Sequence, residues 1–125
     1  MERELEEVVD KIKSFDEVQF IILYGSASED RMTERSDVDL CVGYDGDEEE
    51  ASRFRYDILS ELFADEYDIQ IFQLLPLYVR KEVLKGEVLY FRDKRELYDI
   101  AYRTIREFDD FKHRYYDYIG KEAIA

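Results

Sequence analysis

Leu5, Val8, Val9 and Ile12 recur at helical spacing, which predicts an amphipathic helix over residues 2–14. Asp16-Glu17 breaks that pattern. The next stretch, Val18-Gln19-Phe20-Ile21-Ile22-Leu23-Tyr24, is almost continuously apolar and rich in β-forming residues. It is too short for an ordinary helix and stops at Gly25, which predicts a buried strand. Residues 25–36 are polar and read as a loop with room for a short helical turn. From Asp37 to Tyr44 the pattern alternates, placing Val38, Leu40 and Val42 on one face of a second strand.

Asp45-Gly46-Asp47-Glu48-Glu49-Glu50 is a turn followed by acids. It leads into a helix over about 50–65 with Phe54, Ile58, Leu59 and Leu62 on its inner stripe. Carboxylates favour the positive end of a helix dipole, so the acid run needs no metal to explain it. Tyr67 to Leu74 predicts a third strand. Pro76 opens a short helix that runs to about Lys85 and is stopped by Gly86. Val88-Leu89-Tyr90-Phe91 reads as a strand or a buried loop. A last helix is expected from about Lys94 to Ile119, with Leu97, Ala101, Ile105, Phe108, Tyr115 and Ile119 as its stripe. With no internal repeat and no linker rich in Pro, Gly or Ser, one α/β domain over residues 1–125 with a C-terminal helix is the economical reading.

Charge narrows the choice of partners. The net charge is −14, and it is unevenly placed. Residues 1–75 carry 22 Asp/Glu against 7 Lys/Arg, a balance of −15, whereas residues 76–125 carry 10 against 11, a balance of +1. A protein that grips long nucleic acid needs a basic face, and none is evident. A nucleotide is still admissible when magnesium neutralises its phosphates. Cys41 is the only cysteine, so no internal disulfide can form. The charged start and the lack of any apolar run of membrane-spanning length fit a soluble, cytoplasmic chain.

The candidate chemistry lies between residues 24 and 40. In a strand, residues i and i+2 share a face, so Asp37 and Asp39 project together while Val38 and Leu40 point the other way. Two carboxylates on one face repel, and burial raises the cost. Magnesium resolves the conflict, since it takes oxygen ligands at about 2.0–2.1 Å, often one or two carboxylates plus substrate phosphates. Gly25-Ser26 sits where the buried strand ends. Glycine admits a ligand close to the backbone, and the Ser26 hydroxyl with nearby N–H groups can donate to phosphate. Ser36 either hydrogen-bonds the loop and steers Asp37 or plays no part. Asp68 begins an apolar strand, where packing alone does not call for an acid. It is the candidate third carboxylate of a site whose two metals, about 3.5–4 Å apart, clamp an in-line displacement. In this reading Asp37, Asp39 and Asp68 are both the catalytic residues and the metal ligands, and Gly25, Ser26 and Ser36 bind the nucleotide.

Gly25-Ser26, ten further residues and then Asp37-Val38-Asp39 resemble the signature of the DNA polymerase β superfamily of nucleotidyltransferases. Within it, the chain is similar to the minimal nucleotidyltransferases (MNT domains), including the MntA-like antitoxins. Tyr67-Asp68-Ile69-Gln70-Ile71 resembles the family's third acidic strand. The segment from Pro76 to Asp93 and the aromatic helix through Phe108, Phe111 and Tyr115 extend the likeness over most of residues 18–118. The resemblance implies an α+β fold, a mixed β-sheet with helices packed on one side and a C-terminal helix, and a metal site at the sheet's exposed end. It also implies transfer of AMP from ATP with release of pyrophosphate. Relatives of the MntA type pair with a HEPN-domain ribonuclease toxin and neutralise it, in some cases by attaching AMP to a toxin tyrosine. Tyr115, Tyr116 and Tyr118 supply aromatic material for such a partner surface, in a hetero-complex or a homo-oligomer.

One departure keeps a second reading open. Many relatives follow the Gly-Ser pair with a small residue, an Arg and a Gly, where this chain has Ser28-Glu29-Asp30. Arg31 and Arg35 are near enough in sequence to compensate. The alternative is a catalytically weak or inactive protein that neutralises its partner by contact alone. Transfer to a small molecule is disfavoured by the lack of room for a substrate domain, and transfer to RNA by the charge. Arg80 and Lys85 match basic positions of the family and are candidates to meet the triphosphate. His113 reads as a surface or packing residue and Cys41 as a small core residue.

Overall fold

The computed structural model describes residues 3–25, 38–62 and 67–123, with the side chains of the last helix followed as far as Arg114. Among the described residues, four α-helices and four strands follow one another as α1 (Arg3–Lys13), β1 (Val18–Tyr24), β2 (Val38–Tyr44), α2 (Glu48–Leu62), β3 (Tyr67–Ile71), α3 (Leu77–Val83), β4 (Glu87–Phe91) and α4 (Lys94–Ala123). The sheet order is β3-β2-β1-β4. β1 pairs antiparallel with both β2 and β4, and β2 pairs parallel with β3, so the sheet is mixed. The parallel pair requires a crossover, and α2 supplies it.

Both faces of the sheet are covered. Ile21, Leu23, Leu40, Val42, Ile69 and Ile71 point to the face where α1 brings Leu5, Val8, Val9 and Ile12, and α2 brings Ala51, Phe54 and Ile58. Phe20, Ile22 and Cys41 point the opposite way, toward Val83 of α3 and Leu97 of α4. The helices expected on one side are thus α1 and α2, and the C-terminal helix lies with α3 across the other face. The continuous apolar run of β1 follows from this, because a strand buried on both faces has no polar side. No described helix is long and apolar enough to cross a membrane.

Local chemistry sets the ends of the elements. Asp47 Oδ1 accepts from the Glu50 N–H at 2.8 Å, and Glu50 Oε1 accepts from the Asp47 N–H at 3.1 Å. This reciprocal capping box explains part of the acid run and starts α2 at Glu48, before the expected residue 50. β3 stops at Ile71, short of the expected Leu74, because Phe72–Leu74 curl into a 3₁₀ turn. The Gln73 side chain then does the pairing, accepting from the Tyr44 N–H and donating to the Tyr44 carbonyl. Val88–Phe91 is a strand at the sheet edge, with Val88 and Phe91 exposed rather than buried. In α4 the inner face holds Leu97 and Thr104, and Ile105 is 46% exposed, contrary to the expected stripe. Thr104 is admitted to the interior because its hydroxyl donates to the Ile100 carbonyl at 2.8 Å.

Arg92 ties the β4–α4 junction to the base of the β1–β2 pair. Its guanidinium donates to the Asp16 carbonyl (2.8 Å), to Asp45 Oδ2 (2.9 Å) and to both carboxylate oxygens of Glu96 (2.8 and 2.6 Å). Arg92→Ala is expected to cost about 1 kcal/mol, the upper end for an exposed ion pair, because several bonds are lost together while water can reach the partners left behind. Urea denaturation reads this as a lower midpoint at unchanged slope. Arg92→Lys should recover little of it, because an ammonium cannot reproduce the planar fork.

Candidate active site

The site grows from strand register. Tyr24, the last residue of β1, is the cross-strand partner of Asp39 on β2, and Asp39 is in turn the partner of Asp68 on β3. Paired positions on neighbouring strands face the same way. Tyr24, Asp39 and Asp68 therefore form one row across three strands, on the face shared with Cys41 and near the C-terminal end of β1. All three side chains are half-buried. Neighbouring strands lie about 4.8 Å apart, so the two carboxylates are close enough to share a ligand.

Gly25 makes room for Asp39. Its φ is +78°, in the left-handed region open to glycine. A Cβ built there would lie 2.5 Å from Asp39 Oδ2, so the carboxylate occupies the space a side chain would need. The Gly-Asp spacing in the sequence is thus a packing relation as well as a motif.

Two neighbours complete the row. Gln70 lies two residues after Asp68, on the same face, and its Nε2 donates to Asp68 Oδ1 at 3.0 Å. Burial, and then the neighbouring Cys41, Asp39 and Asp68, push the Tyr24 phenol well above its usual pKa. Tyr24 therefore stays neutral beside the carboxylates. Neither residue was singled out from the sequence as functional. Strand alternation from Asp68 was a signal for Gln70, and the position next to Gly25 was one for Tyr24.

The donor set suits a hard divalent cation. It offers carboxylate oxygens, and the one thiol on this face, Cys41, is fully buried with its pKa pushed up by burial, so no thiolate competes. Ser26, Ser36 and Asp37, which the sequence assigns to phosphate and metal, lie outside the described residues, as do Ser28-Glu29-Asp30 and the nearby Arg31 and Arg35. So do the side chains of Tyr115, Tyr116 and Tyr118.

The basic candidates separate. Arg80 donates to the Leu75 carbonyl at 3.1 Å and lies 3.9 Å from Glu107. It lines a cavity with Gln19 and Tyr44, at the opposite end of the sheet from Asp39. Lys85 lies on the site's side, because the following Gly86 packs against the Leu23 carbonyl, and its Nζ is 3.3 Å from Glu82. His113 is an exposed residue of α4, and Cys41 is a core residue.

Comparison with known proteins identifies the chain's family and fold. The family model described as "Polymerase beta, Nucleotidyltransferase" matches residues 6–95. A curated protein of Methanocaldococcus jannaschii, named "Putative protein adenylyltransferase", is 38% identical over 96 residues, which span 75% of this chain and 72% of that protein. A crystal structure of a toxin–antitoxin with AMP-PNP aligns with a TM-score of 0.71 at 19% identity, covering 96% of this chain and 98% of the other. A structure described as a tri-AMPylated Shewanella oneidensis HEPN toxin in complex with an MNT antitoxin aligns with a TM-score of 0.63 at 18% identity, covering 98% and 99%. At these identities the structural likeness speaks for the fold.

Proposed function

The chain belongs to the polymerase β nucleotidyltransferase family, and on that premise we propose that it transfers AMP from ATP to a hydroxyl of a protein acceptor. The observation that carries the reading is the register that sets Asp39 beside Asp68, with the Asp39 carboxylate seated against Gly25. The relative named as a protein adenylyltransferase supports a protein as acceptor. The acceptor is a HEPN-domain toxin, and the chain serves as its antitoxin. This is supported by the fold shared with a chain from the complex of a HEPN toxin with an MNT antitoxin.

The chain's own groups divide the work. Asp37, Asp39 and Asp68 would hold magnesium, which supplies neutralisation of the triphosphate and of the charge that develops during transfer. Gly25, Ser26 and Ser36 would hold the phosphates. The acceptor oxygen attacks the α-phosphorus, the bond from that phosphorus to the bridging oxygen breaks, and pyrophosphate leaves. The hydroxyl proton passes to Asp68, at the rim of the row on edge strand β3. Tyr24, held neutral, adds no charge to the acidic row.

The test is calorimetric titration of ATP into the protein with magnesium, beside the Asp39→Asn variant and a magnesium-free control. The expected result is binding that needs magnesium and falls at least tenfold in the variant. Equal binding in all three samples would place the nucleotide elsewhere.

A further inference from the structure

We propose that Gln70 is a positioning residue that fixes the Asp68 carboxylate for its divalent cation, an inference that rests on Asp68 being a ligand. β3 alternates strictly. Tyr67, Ile69 and Ile71 are buried in the core shared with α1 and α2, and Asp68 and Gln70 lie half-buried on the other face. Gln70 is paired in register with Cys41, which is fully buried. A β-branched residue suits such a position, and a half-buried amide there is costly unless it is hydrogen-bonded. Its side-chain bond runs to Asp68 Oδ1, at 3.0 Å. An ionised carboxylate only accepts, so the amide must turn its nitrogen toward Asp68.

The direction of that bond matters. Asp68 stands beside the Asp39 carboxylate at the start of an edge strand. Like charges favour rotation of one carboxylate away from the other, which would dismantle the site before a cation arrives. Donation to Oδ1 opposes that rotation and leaves Oδ2 for the cation. The strand under it is anchored independently, since Arg55 Nε of α2 donates to the Ile69 carbonyl at 2.7 Å. Gln70 is therefore free to serve the carboxylate without also holding the strand. Partners of metal ligands typically contribute about 10–100-fold in metal affinity.

The experiment uses manganese as a paramagnetic stand-in for magnesium. Free Mn²⁺ is followed by electron paramagnetic resonance as the full chain is titrated, and thermal melting is recorded alongside. Gln70→Met keeps the length of the side chain and removes the donor; Gln70→Leu is the second variant should the first fold poorly. Asp68→Asn is titrated in parallel. The expected result is a melting curve close to the parent's, with Mn²⁺ affinity lowered about 10–100-fold in the Gln70 variants and lowered further in Asp68→Asn. If Asp68→Asn loses affinity and both Gln70 variants keep it, the positioning role is overturned and the ligand role of Asp68 stands. If all three variants bind as the parent does, Asp68 is not a ligand and both readings fall.

Discussion

Asp39→Asn is expected to lower nucleotidyl transfer by about 10³-fold, about 4 kcal/mol of transition-state stabilisation, while the fold is retained. Asn keeps the shape of the side chain and removes its charge. Asp39 is half-buried between Tyr24 and Asp68, so an amide fits the same space. Relief of the repulsion with Asp68 offsets part of whatever packing is disturbed. Charge at this position is needed only when phosphate and cation are present, so the loss should fall on transfer and magnesium-dependent ATP binding together. The measurement is label transfer from ATP, marked at the α-phosphate, to the co-expressed acceptor, with a melting curve as control. A variant that melts normally and still transfers label at the parent's rate would remove Asp39 from the mechanism. A protein that neutralises its partner by contact alone would keep neutralising in this variant, which separates the two modes of action.

Much of this arrangement is legible in the residues, and the parts that are not have identifiable causes. β1 announces itself because both of its faces are buried, and α1 because Leu5, Val8, Val9 and Ile12 all reach one core. Phe72, Leu74 and Leu75 continue the apolar pattern and predict a strand running to Leu74, whereas β3 ends at Ile71. Nothing local says that Gln73 will reach across to Tyr44 and replace the backbone pairing. The inner face of α4 departs from the apolar pattern for a related reason. A polarity rule prefers Ile105 to Thr104, but the Thr104 hydroxyl is satisfied within its own helix and can be buried. The Asp37-Val38-Asp39 spacing is a local signal. The meeting of Asp39 with Asp68 depends on β3 lying parallel to β2 in a particular register, which no short stretch of sequence encodes. An acid at the start of the apolar stretch Tyr67–Ile71 marks Asp68 in the sequence, and the register sets it beside Asp39. Gln70 illustrates the reverse case: alternation alone places it on the face of Asp68, and it becomes notable only once its bond is seen.

Gly25→Ala is expected to cost stability and activity at once, and the two effects have separate origins. Replacing glycine stiffens the unfolded chain, which favours folding by about 0.4–1 kcal/mol. Against this, an alanine at φ +78° costs about 1–2 kcal/mol for the left-handed backbone. Its Cβ would also lie 2.5 Å from Asp39 Oδ2, closer than such contacts allow, so the carboxylate or the backbone must move. The unfavourable side is larger, and a net loss of about 1–3 kcal/mol should appear as a lower urea midpoint. The activity loss should be about 10²-fold, because reacting groups displaced by about 1 Å lose that much. A double-mutant cycle isolates the cause. If the alanine acts by pushing the Asp39 carboxylate aside, adding Gly25→Ala to Asp39→Asn should lower transfer little further, since the charge it displaces is already gone. Fully additive losses would mean that Gly25 acts on the phosphates directly, through the close backbone approach that a glycine permits.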